Sequence, residues 1–370
     1  MDVMRARRSW VFPAATGLLL TLAQPAAASE LGEAAASLVT ESSYRYFLGD
    51  DQGVEGILYT HIGDDRGFGV QHDWARANIV AEFDDFGLDV ILEPFNYLTG
   101  TYYNVVATQL GTTYPDQEYI IGAHFDSVNN PGADDNASGV AGVLEAARVL
   151  SRYESEYTIR YIAFDREEQG LYGSTGYATA HQSDDILGMI SADMLAFEPG
   201  PGAGSALIYG RTASDPIKNT LASAVTTYGQ GMTPNVQGRL DASDHVPFEA
   251  RGFQACLFIE GATWMNPFYH TANDNVEQAG NINYDFARRM TRVMVGYLVD
   301  NANVLVIIPD GDYDENGLVD LYDVSWFQAC FSGTVLSYPP GMGCMVFDFD
   351  VDDDVDADDY AELSALLSGP

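Results

Sequence analysis

Between about Leu31 and Ala302 the chain alternates short apolar runs with helical patterns, and this most narrows what it can fold into. The strand-like runs include Tyr103–Ala107, Tyr119–Ala123, Ile159–Phe164, Met189–Leu195, Ala206–Tyr209 and Ala255–Ile259. Helical patterns lie between them at Ser138–Tyr153, Pro216–Tyr228 and Tyr284–Asn301. In the first of these, Val140, Val143, Leu144, Ala147, Val149 and Leu150 share one apolar face at helical spacing. Alternating strands and helices predict an α/β fold: a doubly wound, mostly parallel (mixed) sheet in a three-layer α/β/α sandwich. Such sheets bind ligands at the carboxyl ends of their strands.

Several chemically capable side chains fall at those ends. His124, Glu168 and Asp193 each follow a strand-like run within a few residues, and Asp135 and His270 complete a set in the order His124, Asp135, Glu168, Asp193, His270. Two imidazoles and three carboxylates are what a pair of zinc ions needs, because zinc accepts both donors and one carboxylate can bridge. Glu167 is spare, and a hydrolase needs such a carboxylate to take a proton from water. Singly, each has a bland explanation. A lone His-x-Asp is more often structural, Asp134-Asp135-Asn136 before a helix is a good N-cap, and Glu167-Glu168 could be a polar loop. Asp193 closing an apolar run is harder to dismiss, since a carboxylate there is costly unless paired or on a metal. His61, His72 and His181 have no supporting neighbours in sequence and are assigned no chemistry.

Past Val304–Pro309 the composition changes to Asp, Gly and short helical patterns. Asp312, Asp314, Asn316, Leu318, Asp320 and Asp323 recur as Asp348, Asp350, Asp352, Asp354, Asp356 and Asp359, each copy leading into a short helix, Val324–Phe331 and Tyr360–Leu367. These are positions 1, 3, 5, 7, 9 and 12 of an EF-hand-type calcium loop, with Leu318 offering its backbone carbonyl. The first copy has Gly317 at the turn; the second has Asp353, and both end in Asp instead of Glu. The doubled spacing predicts two calcium ions in a small helical EF-hand-like module. A merely solvated acidic tail would not repeat a twelve-residue pattern. Cys330 and Cys344 lie close enough in this segment to pair, whereas Cys256, in an apolar run, reads as an inert buried thiol.

The remaining composition sets the surroundings. A formal charge of −37 disfavours nucleic acid and anionic membranes as partners. Arg5, Arg7 and Arg8, the apolar stretch Trp10–Leu22 and Ala26-Ala27-Ala28 read as a secretion signal, too short to span a membrane. The expected organisation is a signal peptide at 1–28, an α/β domain carrying the candidate zinc ligands at 29–303 and the calcium module at 304–370. The mature chain is then secreted, periplasmic or on the cell surface, with no membrane span.

Five local strings sharpen the function: Gly122-Ala123-His124-Phe125-Asp126-Ser127, Gly132-Ala133-Asp134-Asp135-Asn136-Ala137-Ser138-Gly139, Glu167-Glu168-Gln169-Gly170-Leu171-Tyr172-Gly173-Ser174, Ser243-Asp244-His245-Val246-Pro247-Phe248 and Tyr269-His270-Thr271. Together, and in this order, they resemble the two-zinc aminopeptidases of metallopeptidase family 28 over about Tyr97–Asn301. The resemblance implies one zinc on His124, Asp135 and Asp193 and another on Asp135, Glu168 and His270, with Asp135 bridging. It makes Glu167 the general base and Asp126 the partner of His124, and matches Tyr269 to a tyrosine that in some members hydrogen-bonds the oxyanion. It leaves His245 outside the metal shell and implies a cis peptide after Asp135. Water with a pKa lowered towards ~7 would attack a peptide carbonyl, Glu167 passing its proton to the leaving amine. The acid-rich site suits a free α-ammonium, so the expected substrate is a peptide with a free N-terminus. Alternatives within the resemblance are a carboxypeptidase for acidic ends and a single-zinc glutaminyl cyclase. Outside it stands a calcium-dependent surface-attachment protein with an inactive peptidase domain. The tail resembles a dockerin-type module, which implies a cohesin-like partner, although the linker holding Cys330 and Cys344 departs from that pattern and leaves surface retention open.

Overall fold

The structure is a computed structural model that describes residues 30–50, 65–200, 202, 204–306, 311, 313, 319–333, 344–349 and 354–367. The expected signal segment, His61 and the loop positions Asp312, Asp314, Asn316, Leu318, Asp350 and Asp352 lie outside the described residues.

Eight strands form one mixed sheet: β1 (Asp89–Tyr97), β2 (Gly100–Gln109), β3 (Tyr114–His124), β5 (Tyr157–Phe164), β6 (Asp185–Ala192), β7 (Ser205–Tyr209), β8 (Thr233–Val236) and β9 (Ala255–Glu260). Their spatial order is β1-β2-β5-β3-β6-β9-β7-β8. The central β5-β3-β6-β9 block is parallel, β1, β2 and β5 pair antiparallel, and β7 runs antiparallel to β9 but parallel to β8. The central strands are apolar almost throughout because both of their faces are covered.

Side-chain alternation shows the two layers. Ile121, Tyr161, Ala163 and Ile190 enter a large core with α4 (Gly139–Leu150), α6 (Asp215–Tyr228) and α8 (Tyr284–Asn301). Their neighbours Ile120, Ile162 and Met189 point the other way, to Tyr177 of α5 (Tyr172–Ala180) and Phe248 of α7 (His245–Glu249). The helix expected at Ser138–Tyr153 stops at Leu150, and Tyr153 instead begins β4 (Tyr153–Ser155). Val304–Val306, at the start of the expected tail, forms β10 and pairs antiparallel with β4, so the chain is stitched to the body there.

The segment before β1 belongs to the core. In α1 (Glu30–Ser37), α2 (Glu41–Leu48) and α3 (Val70–Asp85), Ala35, Ala36, Tyr44, Phe47, Ile79 and Phe83 are fully or almost fully buried in the same core as α4 and α8. The Tyr44 hydroxyl donates to the Ser138 carbonyl at 2.7 Å, and Arg292 of α8 donates to the Ala36 carbonyl at 2.7 Å.

The tail has its own small core of Val319, Phe327, Phe347, Val355 and Leu363, from α9 (Leu321–Cys330), α10 (Ala357–Leu366) and their approaches. Cys330 and Cys344 are joined by a disulfide, while Cys256 is a buried free thiol whose pKa burial pushes up.

Candidate active site

Three of the expected ligands arrive at the carboxyl ends of adjacent parallel strands. His124 is the last residue of β3, Asp193 follows β6 by one residue, and Glu167-Glu168 lies in the turn after β5. Asp135 comes from a distorted turn after β3, and His270 from the loop after β9. The Asp135–Asn136 peptide is cis. Several site residues hold left-handed backbone, rare without glycine: Arg166 before Glu167 (φ 64°), Met194 after Asp193 (φ 53°), Ser243 (φ 76°) and His270 itself (φ 55°). Clustered strain of this kind is typical of functional loops held in place by their surroundings.

Asp135 stands at the centre. Its Oδ1 lies 3.4 Å from His124 Nε2, and its Oδ2 lies 3.0 Å from His270 Nε2. Asp193 Oδ1 is 3.7 Å from His124 Nε2, and Glu168 Oε2 is 3.3 Å from His270 Nε2. Donor atoms of His124, Glu167 and Asp193 lie within 4.8 Å of one another, as do those of Asp135, Glu168 and His270. Two neighbouring donor clusters therefore meet at one carboxylate, each oxygen facing a different imidazole.

The support of His124 differs from expectation. Its Nδ1–H donates to the backbone carbonyl of Asp126 at 3.1 Å, whereas the Asp126 carboxylate is 3.7 Å away. That carboxylate is engaged elsewhere, its two oxygens accepting the backbone N–H of Glu167 at 3.1 Å and of Glu168 at 3.3 Å. Asp126 thus fixes the imidazole tautomer through its main chain, leaving Nε2 free towards the cluster, and orients the Glu pair through its side chain. Asp274 acts similarly on the bridge, accepting the N–H groups of Asp134 at 2.8 Å and Asp135 at 3.1 Å.

The electrostatics call for cations. Burial disfavours a charged His124, but Glu167 and the bonds to Asp135 and Asp193 outweigh it, holding its pKa well above the usual value. His270 is pushed up to about 10 by Asp135 and Glu168. Burial would raise Asp135, yet the two imidazoles hold it well below the usual carboxylate range. Burial pushes Glu167 well up, opposed by His124 and reinforced by Asp244, Asp193 and Asp126. Glu168 Oε1 is buried without a hydrogen-bond partner among the described residues. Imidazole nitrogens and unpartnered carboxylate oxygens so arranged fit divalent metal ions, with zinc favoured by the mixed N/O donors.

Other histidines lie apart. His245 is buried, and its Nε2 sits 3.0 Å from the Leu240 carbonyl; burial lowers its pKa to about 4. His72 is buried against Phe125 and hydrogen-bonds Asp165 at 2.9 Å, a structural tie that sequence did not show. His181 pairs with Asp184 and Glu93 at the surface. Tyr269 is half-exposed and stacks on His270, ring centroids 3.9 Å apart.

The candidate metal ligands line a pocket whose other wall is apolar, formed by Met194, Leu240, Leu257, Ile259 and Trp264. No Lys or Arg lines it among the described residues. Sequence reasoning missed this wall, whose residues are scattered over four loops and strands. It also passed over Asp244, quoted in its string but given no role. Asp244 is fully buried, pushed up to about 7 by burial, and in electrostatic contact with Glu167.

In the tail, the two repeats show one arrangement. Asp323 accepts the N–H groups of Tyr313 and Asp320, both at 2.8 Å, and Asp359 those of Phe349 at 2.6 Å and Asp356 at 2.8 Å. Oxygens of the buried Asp354, Asp356 and Asp359 gather within 4.8 Å, and Asp348 is buried as well.

The aminopeptidase YwaD of Bacillus subtilis (strain 168) is 36% identical over 172 residues, covering 44% of this chain and 37% of that protein. The chain thus spans little more than a third of that relative's length. Among solved structures, LapB from Legionella pneumophila superposes with a TM-score of 0.64 at 22% identity, covering 74% of this chain and 75% of the other. Macrostomum lignano glutaminyl cyclase gives 0.61 at 18%, covering 75% and 94%. At these identities the two structures establish the fold alone. Residues 104–298, more than half of the chain, match the sequence profile of Peptidase family M28, and the chain belongs to that family.

Proposed function

We propose that the protein is a secreted zinc aminopeptidase that removes N-terminal residues from peptides at a two-metal site. The observation that carries this reading is Asp135, each of whose oxygens faces a different imidazole, 3.4 Å from His124 and 3.0 Å from His270. In this reading His124, Asp135 and Asp193 hold one zinc, and Asp135, Glu168 and His270 the other. Zinc so bound supplies Lewis-acid polarisation of a carbonyl and lowers the pKa of water.

The chain's own residues do the rest. Glu167, held by the bond from its N–H to Asp126, takes the proton of the attacking water and delivers it to the departing amine. Burial raises the pKa of the Glu167 carboxyl, which makes its ionised form a stronger base towards that proton. Tyr269, which stacks on His270 at the rim, donates a hydrogen bond to the oxyanion in this reading. The acid-rich floor binds the substrate's α-ammonium, and the Met194, Leu240, Leu257 and Ile259 wall takes an apolar first side chain. No Lys or Arg among the described lining residues is there to pair with a substrate's terminal carboxylate, which weighs against a carboxypeptidase.

We assign residues 1–28 to a secretion signal, 29–303 to the peptidase domain and 304–370 to a dockerin-like calcium module. The identical hydrogen bonding of Asp323 and Asp359, and the clustering of Asp354, Asp356 and Asp359, support a calcium ion in each repeat. A cohesin-like or surface partner for this module follows only from the resemblance.

The test is a panel of aminoacyl-nitroanilides and their N-acetylated forms, with metal content measured in parallel. Zinc-restorable release from free-amine substrates alone supports the proposal. One zinc per chain with cyclisation of N-terminal glutamine would replace it with a cyclase, and zinc binding without any turnover with an attachment protein.

A further inference from the structure

The short segment entering α3, residues 65–69, reaches both loops that build the metal cluster. Arg66 is 3% exposed. Its Nε donates to the Phe125 carbonyl at 2.8 Å, and its two terminal nitrogens donate to Pro131 at 2.5 Å and Gly132 at 2.8 Å. The Arg66 N–H also donates to Ser127 Oγ at 2.8 Å. Phe125 directly follows His124, and Gly132 precedes the turn that carries Asp135. One planar guanidinium therefore ties together the two ends of the loop separating an imidazole ligand from the shared carboxylate. Gly132 holds left-handed backbone (φ 60°), and a Cβ there would come within 2.4 Å of the Asp135 carbonyl and 3.1 Å of the Arg66 guanidinium, so the loop is packed against its clamp without slack.

The same segment grips the second loop. The Gly67 carbonyl accepts a hydrogen bond from Arg166, and the Phe68 ring lies over the Arg166 guanidinium at 4.1 Å. Arg166 immediately precedes Glu167 and Glu168. Further along α3, His72 bonds Asp165 at 2.9 Å.

We propose that Arg66 is a positioning residue that sets the spacing between His124 and Asp135, so that a segment outside the family-matched region 104–298 governs metal affinity and turnover. The proposal rests on the two-metal hydrolase reading but is tested separately from it. A buried guanidinium persists only where its donors are satisfied, and the Phe125, Pro131 and Gly132 carbonyls that it donates to all belong to the ligand-bearing loop. Lysine concentrates its charge at one point and cannot span three carbonyls in a plane, so it is not a conservative replacement.

The experiment uses the full chain with Arg66→Ala and Arg66→Lys, and Arg292→Lys as a control. Arg292 is equally buried but ties α8 to Ala36 and Glu33. Zinc affinity is read by competition with a chromogenic chelator, kcat and KM at saturating zinc, and folding by circular dichroism. Loss of such a support typically lowers metal affinity ~10-fold or more. Arg66→Ala should show that loss and a lower kcat at little-changed KM, both recovered in part by millimolar guanidinium ion; Arg66→Lys should fall between. Arg292→Lys should lose thermal stability with zinc affinity intact. A folded Arg66→Ala with wild-type zinc affinity overturns the proposal, as does an equal affinity loss in Arg292→Lys. If Arg66→Ala does not fold, Arg66→Lys decides by the same criteria. A wild-type chain that binds zinc but hydrolyses nothing removes the aminopeptidase reading, while the affinity comparison still decides the role of Arg66.

Discussion

Replacing Asp126 by Asn separates two ways in which this residue could serve the site. Its carboxylate oxygens each accept one backbone N–H, at 3.1 Å from Glu167 and 3.3 Å from Glu168. Asparagine keeps one acceptor and turns an NH2 group towards the other N–H. A hydrogen bond to a charged acceptor contributes ~1.5–3 kcal/mol, and a buried donor left unpaired costs a similar amount. Because the lost bond would be the longer one, about 2 kcal/mol is reasonable, equivalent to about 30-fold in rate. That loss should fall on kcat, because the Glu168 N–H that loses its acceptor belongs to the same turn as Glu167, whose own bond to Asp126 is retained. His124 should stay in place, since its Nδ1–H bonds the main-chain carbonyl of Asp126, which the substitution leaves intact. The assay is kcat and KM on the best aminoacyl-nitroanilide, with zinc per chain measured on the same sample. The expected result is a lower kcat at full zinc content. Wild-type kcat would refute the reasoning. Lost zinc with unchanged turnover per loaded site would show that Asp126 acts through His124 after all.

Further outcomes follow from other parts of the molecule. Glu167→Gln should retain zinc and lose at least ~100-fold in kcat, the usual scale of general-base loss, and an unchanged turnover would remove Glu167 as the base. His181, pushed up to about 9 chiefly by its bond to Glu93, contributes stability that is full below its ordinary pKa and lost as pH rises through about 9. After discounting for exposure this is worth about 1 kcal/mol, so the Tm deficit of His181→Gln should be present at neutral pH and shrink towards pH ~10. Phe83→Ala, in the core beneath α3, should cost ~3–5 kcal/mol by urea denaturation, whereas a dispensable N-terminal segment would tolerate it. In the tail, Trp326 stacks on Tyr313 at 4.4 Å, so adding calcium to the chelated protein should change Trp326 fluorescence, and Asp359→Asn should weaken that response ~10-fold or more.

The candidate ligands stood out in the sequence because chemistry and position coincide: His124 and Asp193 close apolar strands, and Glu168 sits just beyond another. The central strands were legible because burial on both faces makes them continuously apolar. The edge strand β1 was not, since only Phe95 is buried along it and Pro94 interrupts it. Helix α3 places His72, Ala75, Ile79 and Phe83 inward at helical spacing, but two of those four are too weakly apolar to mark a face. In α5, Gly, Ser, Thr and Ala leave little contrast between faces, although Tyr177 is fully buried. The Asp126 carboxylate lies 3.7 Å from His124 Nδ1, the neighbour that sequence adjacency suggested, but its bonds to the N–H groups of Glu167 and Glu168 exist only because folding brings that turn close. Arg66 carries no local signal at all: it is one arginine in a polar stretch, and its partners lie about sixty residues further along the chain.

The central claim is that two metal ions meet at Asp135 and that hydrolysis depends on both. Zinc titrated into the metal-free full chain, with bound zinc and nitroanilide turnover followed together, tests it most directly. The account predicts two zinc ions per chain, turnover of the free-amine substrate rising with their binding, and no release from the N-acetylated form. Saturation at one zinc, or two bound zinc ions without hydrolysis of any free-amine substrate, would contradict it.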